Sequence, residues 1–497
     1  MSGTGNTTVP ASSDDPSPRF PGVGLVPALV RVWSAAADDH LGEVALFDAA
    51  AHSEWILGRD AATPDDPAPR ALCFRQRPGE NLPGGLLTGN TISRVQLHVR
   101  QTPGGLEITN IGAAKLLING CLMAPDVRHR AVFGDVVQIV GHSMYLLVER
   151  PLVLSSCPCD LGPLHAFGEP DAHGIVGESP AVWAFRAALA AAASTLGHVF
   201  VHGPTSTGKE LAAQALHRLS GRGGPLVAYN AATLTLSLAD SILFGNRAGY
   251  PNPGMPERPG LVGAAQGGTL FLDEIGELMS AGQATLLRTL DGEYTRQGES
   301  KPQRADLLVV CATNRDVSCI KHDVLPRFAY VVETPSVADR MEDIPLLVRH
   351  LLQLEALTNP ALAARFVRAG AGGRPEVDVA AALILVLLRW PHDGNLRDLR
   401  NLLLRAMTET AGPSLMPPVD RLRRLPPPAT EDIEDVQQLL DGIRSPNEVI
   451  MQSKELLHPH MVRHGWQLQK AAKAVGIDRH ALARLLEKHG IRRPGGD

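Results

Sequence analysis

The chain has 497 residues, 44% of them hydrophobic, and its 47 Lys+Arg against 52 Asp+Glu leave a formal net charge of -5. At about 100–200 residues per domain, such a length predicts about three domains and excludes one compact fold. The apolar content excludes a globally disordered chain, and the near-neutral average does not advertise a nucleic-acid binder.

Residues 1–20 are polar, without a basic region leading into an apolar run, so the N-terminus is not a secretory signal, and residues 1–30 read as a disordered tail. The most apolar run, Val379 to Leu388, falls far short of the ~20 residues that cross a bilayer. Six cysteines spread over this length form no disulfide framework. A reducing cytoplasm is the expected setting.

From residue 31 to 152, short strand-like runs such as Ile92 to Val99, Leu116 to Ile118 and Val136 to Val140 alternate with Gly, Pro and Asn breaks, which predicts an all-β unit. Leu57-Gly58-Arg59-Asp60, Ile92-Ser93-Arg94-Val95-Gln96, Ile118-Asn119-Gly120 and Gly134-Asp135 follow in an order that resembles a forkhead-associated (FHA) domain, a β-sandwich that reads phosphothreonine. The resemblance implies phosphate contacts from Arg59, Ser93 and Arg94, the forked cationic donors that a dianion favours. Gln96 stands where that family has a structural His, and residues 112–115 replace its polar loop, one residue shorter. A phosphothreonine reader and a purely structural or dimerising sandwich both remain open.

Beyond a linker at 153–173, apolar strands alternate with Ala/Leu-rich helices, the pattern of a parallel sheet with covering helices. Val199-Phe200-Val201 leads into Gly203-Pro-Thr205-Ser206-Thr207-Gly208-Lys209-Glu210 and then a helix. A glycine turn that exposes N–H groups, a helix N-terminus and a lysine are what phosphate binding needs. Downstream, Gly267-Gly268-Thr-Leu-Phe-Leu-Asp273-Glu274 is an apolar strand ending in two carboxylates. Asp273 is the candidate Mg2+ ligand, and Glu274 the group that polarises attacking water. A third strand, Leu307 to Ala312, delivers Asn314, which could sense the outer phosphate or simply cap the strand.

Together with Ile175-Val-Gly-Glu-Ser179, Leu243-Phe-Gly245, Glu342-Asp-Ile-Pro-Leu346 and Gly394-Asn-Leu-Arg-Asp-Leu399, these motifs make residues 174–411 resemble the AAA+ domain of sigma-54-dependent transcription activators. That family also carries Glu after the phosphate-loop lysine. The resemblance implies ATP and Mg2+ as cofactors, with Ile175 and Val176 bordering the adenine and Asn230 restraining Glu274. It also implies Asn314 as γ-phosphate sensor and Arg397 as lid sensor. The family works as rings, usually hexamers, whose sites are completed by a neighbour's arginines. Lys321 and Arg327 occupy the two corresponding positions, and Arg327 is the better finger.

The family contacts sigma-54 RNA polymerase through a Gly-Ala-Phe-Thr-Gly-Ala loop. Here that loop falls on Gly249-Tyr250-Pro251-Asn252-Pro253-Gly254, with its length kept and its Phe and Thr gone. Either Tyr250, Pro251 and Asn252 still touch sigma-54, or the ring remodels another partner or regulates only by binding DNA.

A Pro-rich linker at 412–440 precedes a helical segment, 441–497. Trp466 to Ile491 places Ala471-Ala472 before a turn at Gly476, the spacing of an all-α helix-turn-helix, and resembles the Fis-type module of the same activators. Arg479, His480, Arg484 and Lys488 are the candidate DNA contacts. The helix from about Asn447 to Arg463 is expected to pair two protomers over a two-fold symmetric site. Residues 454–493 hold nine Lys+Arg and three acids, so a segment of net charge +6 ends a body of -11. The expected architecture is thus multidomain: an all-β FHA-like sandwich, an α/β AAA+ P-loop domain with a helical lid, and an all-α helix-turn-helix.

Overall fold

A computed structural model describes residues 24–418, apart from 36–39, 60–68, 70, 85–91, 156–163, 196, 235, 279–282, 285 and 370–374, together with residues 482, 483 and 486. The four predicted DNA contacts, Arg479, His480, Arg484 and Lys488, lie outside the described residues.

The first unit is a sandwich of two antiparallel sheets. Strands β1 (Leu25–Ser34), β2 (Val44–Leu46), β3 (Glu54–Leu57), β4 (Cys73–Arg77), β5 (Glu80–Pro83), β6 (Leu97–Thr102), β7 (Gly105–Asn110), β8 (Leu116–Ile118), β9 (Cys121–Leu122), β10 (Arg128–Val132), β11 (Val136–Ile139) and β12 (Ser143–Pro151) follow in chain order. They form an eight-stranded sheet, β5-β4-β2-β1-β12-β11-β8-β9, over a four-stranded one, β10-β7-β6-β3. Leu29, Trp55, Leu57, Leu97, Val99, Ile108, Tyr145 and Leu147 fill the space between them. The β6–β7 hairpin closes on Pro103-Gly104, where Gly104 adopts φ +79° as a Pro-Gly turn requires.

Two details depart from the sequence reading. β1 starts at Leu25, so residues 25–30 are sheet and not tail, buried from Val26 onward because both faces of this apolar run are covered. The run from Ile92 yields a strand only from Leu97; Ser93 and Arg94 sit in the preceding loop.

In the second unit, β13 (Val199–His202), β14 (Leu226–Asn230), β15 (Thr269–Asp273), β18 (Leu308–Thr313) and β19 (Tyr330–Glu333) form a parallel sheet in the order β14-β15-β18-β13-β19; the small hairpin β16 (Glu293–Tyr294) and β17 (Gln303–Arg304) stands apart from it. Alternation along the strands supplies both faces. Val199, Val201, Phe271, Val310 and Val332 pack under α1 (Pro180–Ser194) and α2 (Lys209–Leu219). Phe200, Leu270, Leu272, Val309 and Cys311 meet α3 (Leu236–Phe244) and α4 (Gly260–Ala264) on the other side. Ser179 caps α1 by accepting the Val182 N–H at 3.3 Å, with Pro180 at the first helical position.

The lid comprises α5 (Ile344–Thr358), a hairpin of β20 (Val367–Ala369) and β21 (Pro375–Val377), α6 (Ala381–Arg389) and α7 (Asn395–Glu409). The most apolar run of the sequence is α6, buried from Ala381 to Leu388. Among the described residues no helix is long and apolar enough to cross a membrane. Part of each expected linker is folded: the Gly168 N–H donates to Glu178 at 2.7 Å, and Leu415, fully buried, bridges to Val379.

The two units share a core. Val32, Val136, Met144 and Leu146, on the outer face of the larger sheet, join Val337 of the turn before the lid and Ile344, Leu346, Leu347, Val348 and Ile384 of the lid in one buried cluster. The Trp33 indole N–H donates to the Val379 carbonyl across this junction at 2.7 Å.

Candidate active site

At the end of β13 the chain makes a tight loop. Gly203 has φ +149°, and a Cβ there would lie 2.2 Å from the Thr334 hydroxyl and 2.8 Å from its carbonyl oxygen. Ser206 and Gly208 also take positive φ, 58° and 104°, curling the loop before α2 begins. Such a curl with a helix behind it gathers N–H groups for an anion. Thr207 pins the loop, donating to the Pro204 carbonyl at 2.9 Å and bonding the Thr334 hydroxyl at 2.6 Å.

The loop opens into a cavity of about 350 Å³ lined by Thr205, Ser206, Gly208, Lys209, Glu210, Leu211, Asp273, Glu274, Asn314, Leu396 and Arg397. Three sequence-distant motifs and the lid therefore meet at one place. The Lys209 ammonium donates to the Gly203 and Pro204 carbonyls at 2.9 and 2.8 Å. Burial holds it below the usual lysine range against the pull of Asp273 and Glu274, and burial likewise raises Asp273 above the usual carboxylate range despite the Glu274 N–H it accepts. A phosphate beside Lys209 and a cation beside Asp273 would relieve both. The hard oxygen donor suits Mg2+, which commonly takes only one or two protein carboxylates beside substrate phosphates.

Glu274 sits in the left-handed region, φ 56°, and its carboxylate accepts the Asn230 amide N–H at 3.0 Å. Asn230 is fixed in turn by accepting the Ala232 N–H at 2.9 Å. Asn314 donates to the Thr205 hydroxyl at 3.2 Å, so its side chain reaches into the loop as well as ending its strand.

Other predicted positions lie apart. Ile175 and Val176 are buried beside the cavity rather than lining it: Ile175 belongs to the core under α1 and α2, while Gly174 abuts Leu211, a cavity residue. Within this one chain Lys321 and Arg327 do not line the cavity, and Arg327 pairs with Asp291 at 2.9 Å on the surface. Sequence reasoning missed Asn395, which has φ 51° at the start of α7, accepts the Val337 N–H at 2.8 Å and donates to the Thr205 carbonyl at 3.1 Å. With the Leu396 N–H on the Ser206 carbonyl at 3.2 Å, it ties the lid to the phosphate loop. Its place in Gly394-Asn395-Leu396-Arg397 was the available signal.

The loop at 249–254 is tightly closed. The Gly249 N–H donates to the Met255 carbonyl at 2.8 Å, and the buried Asn246 amide donates to the carbonyls of Arg247, Tyr250 and Pro256 at 3.0–3.1 Å. Tyr250 lies over Gly298, whose hypothetical Cβ would meet the ring at 2.7 Å, so its ring is half committed to the protein; Pro251 and Asn252 at the tip are exposed.

In the sandwich, the backbone segments that carry Arg59, Ser93 and Arg94 adjoin. The Arg59 N–H donates to the Ser93 carbonyl at 3.0 Å, and the Ser93 hydroxyl accepts the Ala113 N–H at 2.9 Å. Gln96, fully buried, fastens these loops: its amide N–H groups donate to Asn110 and the Ala114 carbonyl at 2.7 and 2.8 Å, and its oxygen accepts the Ser93 N–H at 3.2 Å. The residue that departed from the expected pattern is the one that organises the loops.

Residues 175–326 match the model of the sigma-54 interaction domain. Over 330 residues the chain is 33% identical to the transcriptional regulatory protein ZraR of Escherichia coli (strain K12), covering 63% of this chain and 68% of that protein. It is 31% identical over 361 residues to the regulatory protein AtoC of the same organism, covering 70% of this chain and 74% of that one. A crystal structure of NtrX from Brucella abortus in complex with ATP aligns with 27% identity and a TM-score of 0.42, over 65% of this chain and 70% of that one.

Proposed function

Because the chain belongs to the family of transcriptional regulators that carry the sigma-54 interaction domain, an ATP-hydrolysing AAA+ unit, we propose that it is a DNA-bound, ring-forming activator that spends ATP to remodel sigma-54 RNA polymerase. The observation that carries this reading is the convergence of Lys209, Asp273, Glu274, Asn314 and Arg397 on one cavity, with Asn230 on Glu274.

The chemistry follows from that placement. Bound Mg2+, held by Asp273, would supply charge neutralisation for the phosphates. Lys209 and the loop N–H groups hold the phosphates, while Arg397 and Asn314 close over the outer one. Glu274 aligns the attacking water and accepts its proton. The Asn230 hydrogen bond restrains Glu274 until Asn230 is drawn elsewhere. Arg327, exposed on the surface, is placed to serve a neighbouring subunit's site once it leaves Asp291. The sandwich loops at Arg59, Ser93 and Arg94 supply a phosphothreonine input, and the segment containing Arg479, His480, Arg484 and Lys488 supplies DNA binding.

The test is promoter opening by sigma-54 polymerase with ATP, comparing the wild-type chain with Glu274→Gln. Opening by the wild type alone supports the reading. A second reading has its own observation: a loop whose Tyr250 lies on Gly298 and whose tip is Pro251-Asn252-Pro253 has no free apolar finger, which favours a remodelled partner other than sigma-54. ATP hydrolysis without promoter opening would select it.

A further inference from the structure

The apolar junction between sandwich and lid is non-directional: hydrophobic burial alone would let the two faces slide. What fixes their register is a set of buried charges. Arg150 of β12 grips Glu342 with two nitrogens, at 2.9 and 3.2 Å, and also donates to Gln76 at 3.1 Å. Arg77 of β4 donates to the Glu178 carboxylate and the His165 carbonyl, both at 3.1 Å, with its guanidinium 5.4 Å from the Phe167 ring and 5.3 Å from the Trp183 ring. All four charged groups are at least nine-tenths buried. Buried ion pairs add little net stability over apolar packing, but they specify one geometry.

The geometry they specify leads to the phosphate loop. Glu178 and Glu342 are cross-braced by Asp343, which accepts the Glu178 and Ser179 N–H groups at 2.7 and 3.1 Å. Arg340 donates to the Val176 carbonyl at 3.3 Å, and Gly174 lies beside Leu211, which lines the nucleotide cavity: a Cβ on Gly174 would be in van der Waals contact with that side chain. From the same 337–343 turn, the Val337 N–H meets Asn395, which holds the Thr205 carbonyl. Two routes therefore run from sandwich arginines to the walls of the cavity.

We propose that Arg77 and Arg150 are positioning residues of the ATPase: the sandwich, through Glu178 and Glu342, sets the 174–179 segment and the 337–343 turn against the phosphate loop, and so sets the affinity for ATP. The proposal rests on the ATPase assignment alone and is independent of any phosphopeptide or DNA. Coupling of this kind is reciprocal, so nucleotide must tighten the sandwich as the sandwich tightens nucleotide.

Hydrogen exchange of the full chain with and without a slowly hydrolysed ATP analogue tests it on the wild type. The expected result is slowed exchange at 76–77 and 144–150 in the sandwich, along with 174–179. In steady state, Arg150→Gln and Arg77→Gln should raise KM for ATP by about tenfold while kcat stays within about threefold. Arg150→Lys, which keeps the charge and loses the fork, should recover part of the loss. Near-UV circular dichroism establishes that each variant is folded, and if the Gln variants are not, the wild-type exchange decides. A wild-type chain that binds the analogue while its sandwich exchange is untouched overturns the proposal, as does a folded Arg150→Gln with unchanged KM. A wild-type chain that binds no ATP removes the ATPase assignment and the proposal with it.

Discussion

Excising residues 1–163 should destabilise the ATPase unit rather than release it. The cut removes Val32, Val136, Met144 and Leu146 from the cluster they share with Ile344, Leu346, Leu347 and Val348. At about 1.5–3 kcal/mol for each buried apolar side chain, these four account for roughly 6–12 kcal/mol, an upper bound because unfolded chains already bury some surface. Glu178 and Glu342 would lose Arg77 and Arg150 but regain water, so their pairs are left out of the figure. Even half of that sum is a large share of the ~5–15 kcal/mol that holds a domain folded. The fragment 164–497, followed by circular dichroism and size-exclusion chromatography, should melt at least about 10 °C below the intact chain or aggregate at room temperature. A fragment that stays monodisperse and melts within about 2 °C of the intact chain would refute the claim that the two units share a core.

Glu274→Gln should lower kcat by about 10²–10⁴ while nucleotide affinity stays within about threefold, read by phosphate release and by binding of a fluorescent ATP analogue. Gly112→Ala places a methyl group 2.4 Å from the Gln96 amide; it should cost about 1–3 kcal/mol in urea unfolding of the chain and weaken any phosphothreonine peptide bound at Arg59 and Arg94. Burial pushes the Asp343 carboxyl up to about 6, with the Glu342 charge adding to it. Its folded value thus lies above its unfolded one, so its stabilising share is complete below about pH 4 and lost as pH rises to about 6. The stability difference between the wild type and Asp343→Asn, measured by urea denaturation, should therefore fall across that window and level off above it. Glu178 has the opposite sign: burial would raise it, but the His165 ring 3.5 Å away and the Arg77 charge hold it below the usual range, so its contribution is present above about pH 4.5 and lost on acidification.

Much of the candidate site was legible, in that residues named from the sequence meet at one cavity, because its chemistry is local. A phosphate loop needs its glycines and lysine in consecutive positions, and strand-end carboxylates follow directly from an apolar run, so Lys209, Asp273 and Glu274 could be named from spacing. Thr334 could not be, since it acts through a hydroxyl group far away in sequence, and Asn395, although it stands in the motif at 394–399, acts through bonds to Val337 and Thr205 that spacing does not reveal. Gln96 shows the same limit from the other side. As a letter it broke a pattern, whereas in the fold its amide, both donor and acceptor, binds its own loop, the end of β7 and the loop that follows β7 at once.

The least legible feature was the union of sandwich and lid, although its trace lay in β1. An antiparallel strand with one wet face alternates apolar and polar residues, whereas one covered on both sides reads as an almost unbroken apolar run. Val26 to Val32 is such a run, interrupted only by Arg31, which turns inward to Glu43 and Cys73. In β12, Met144 and Leu146 serve the lid while Tyr145 and Leu147 serve the sandwich. A two-faced strand demands a second covering layer, and within this chain the lid is what covers it. A ligand taken up by the sandwich loops would then act on a body already packed against the ATPase lid, so its effect on the motor would pass through side-chain packing rather than through a linker.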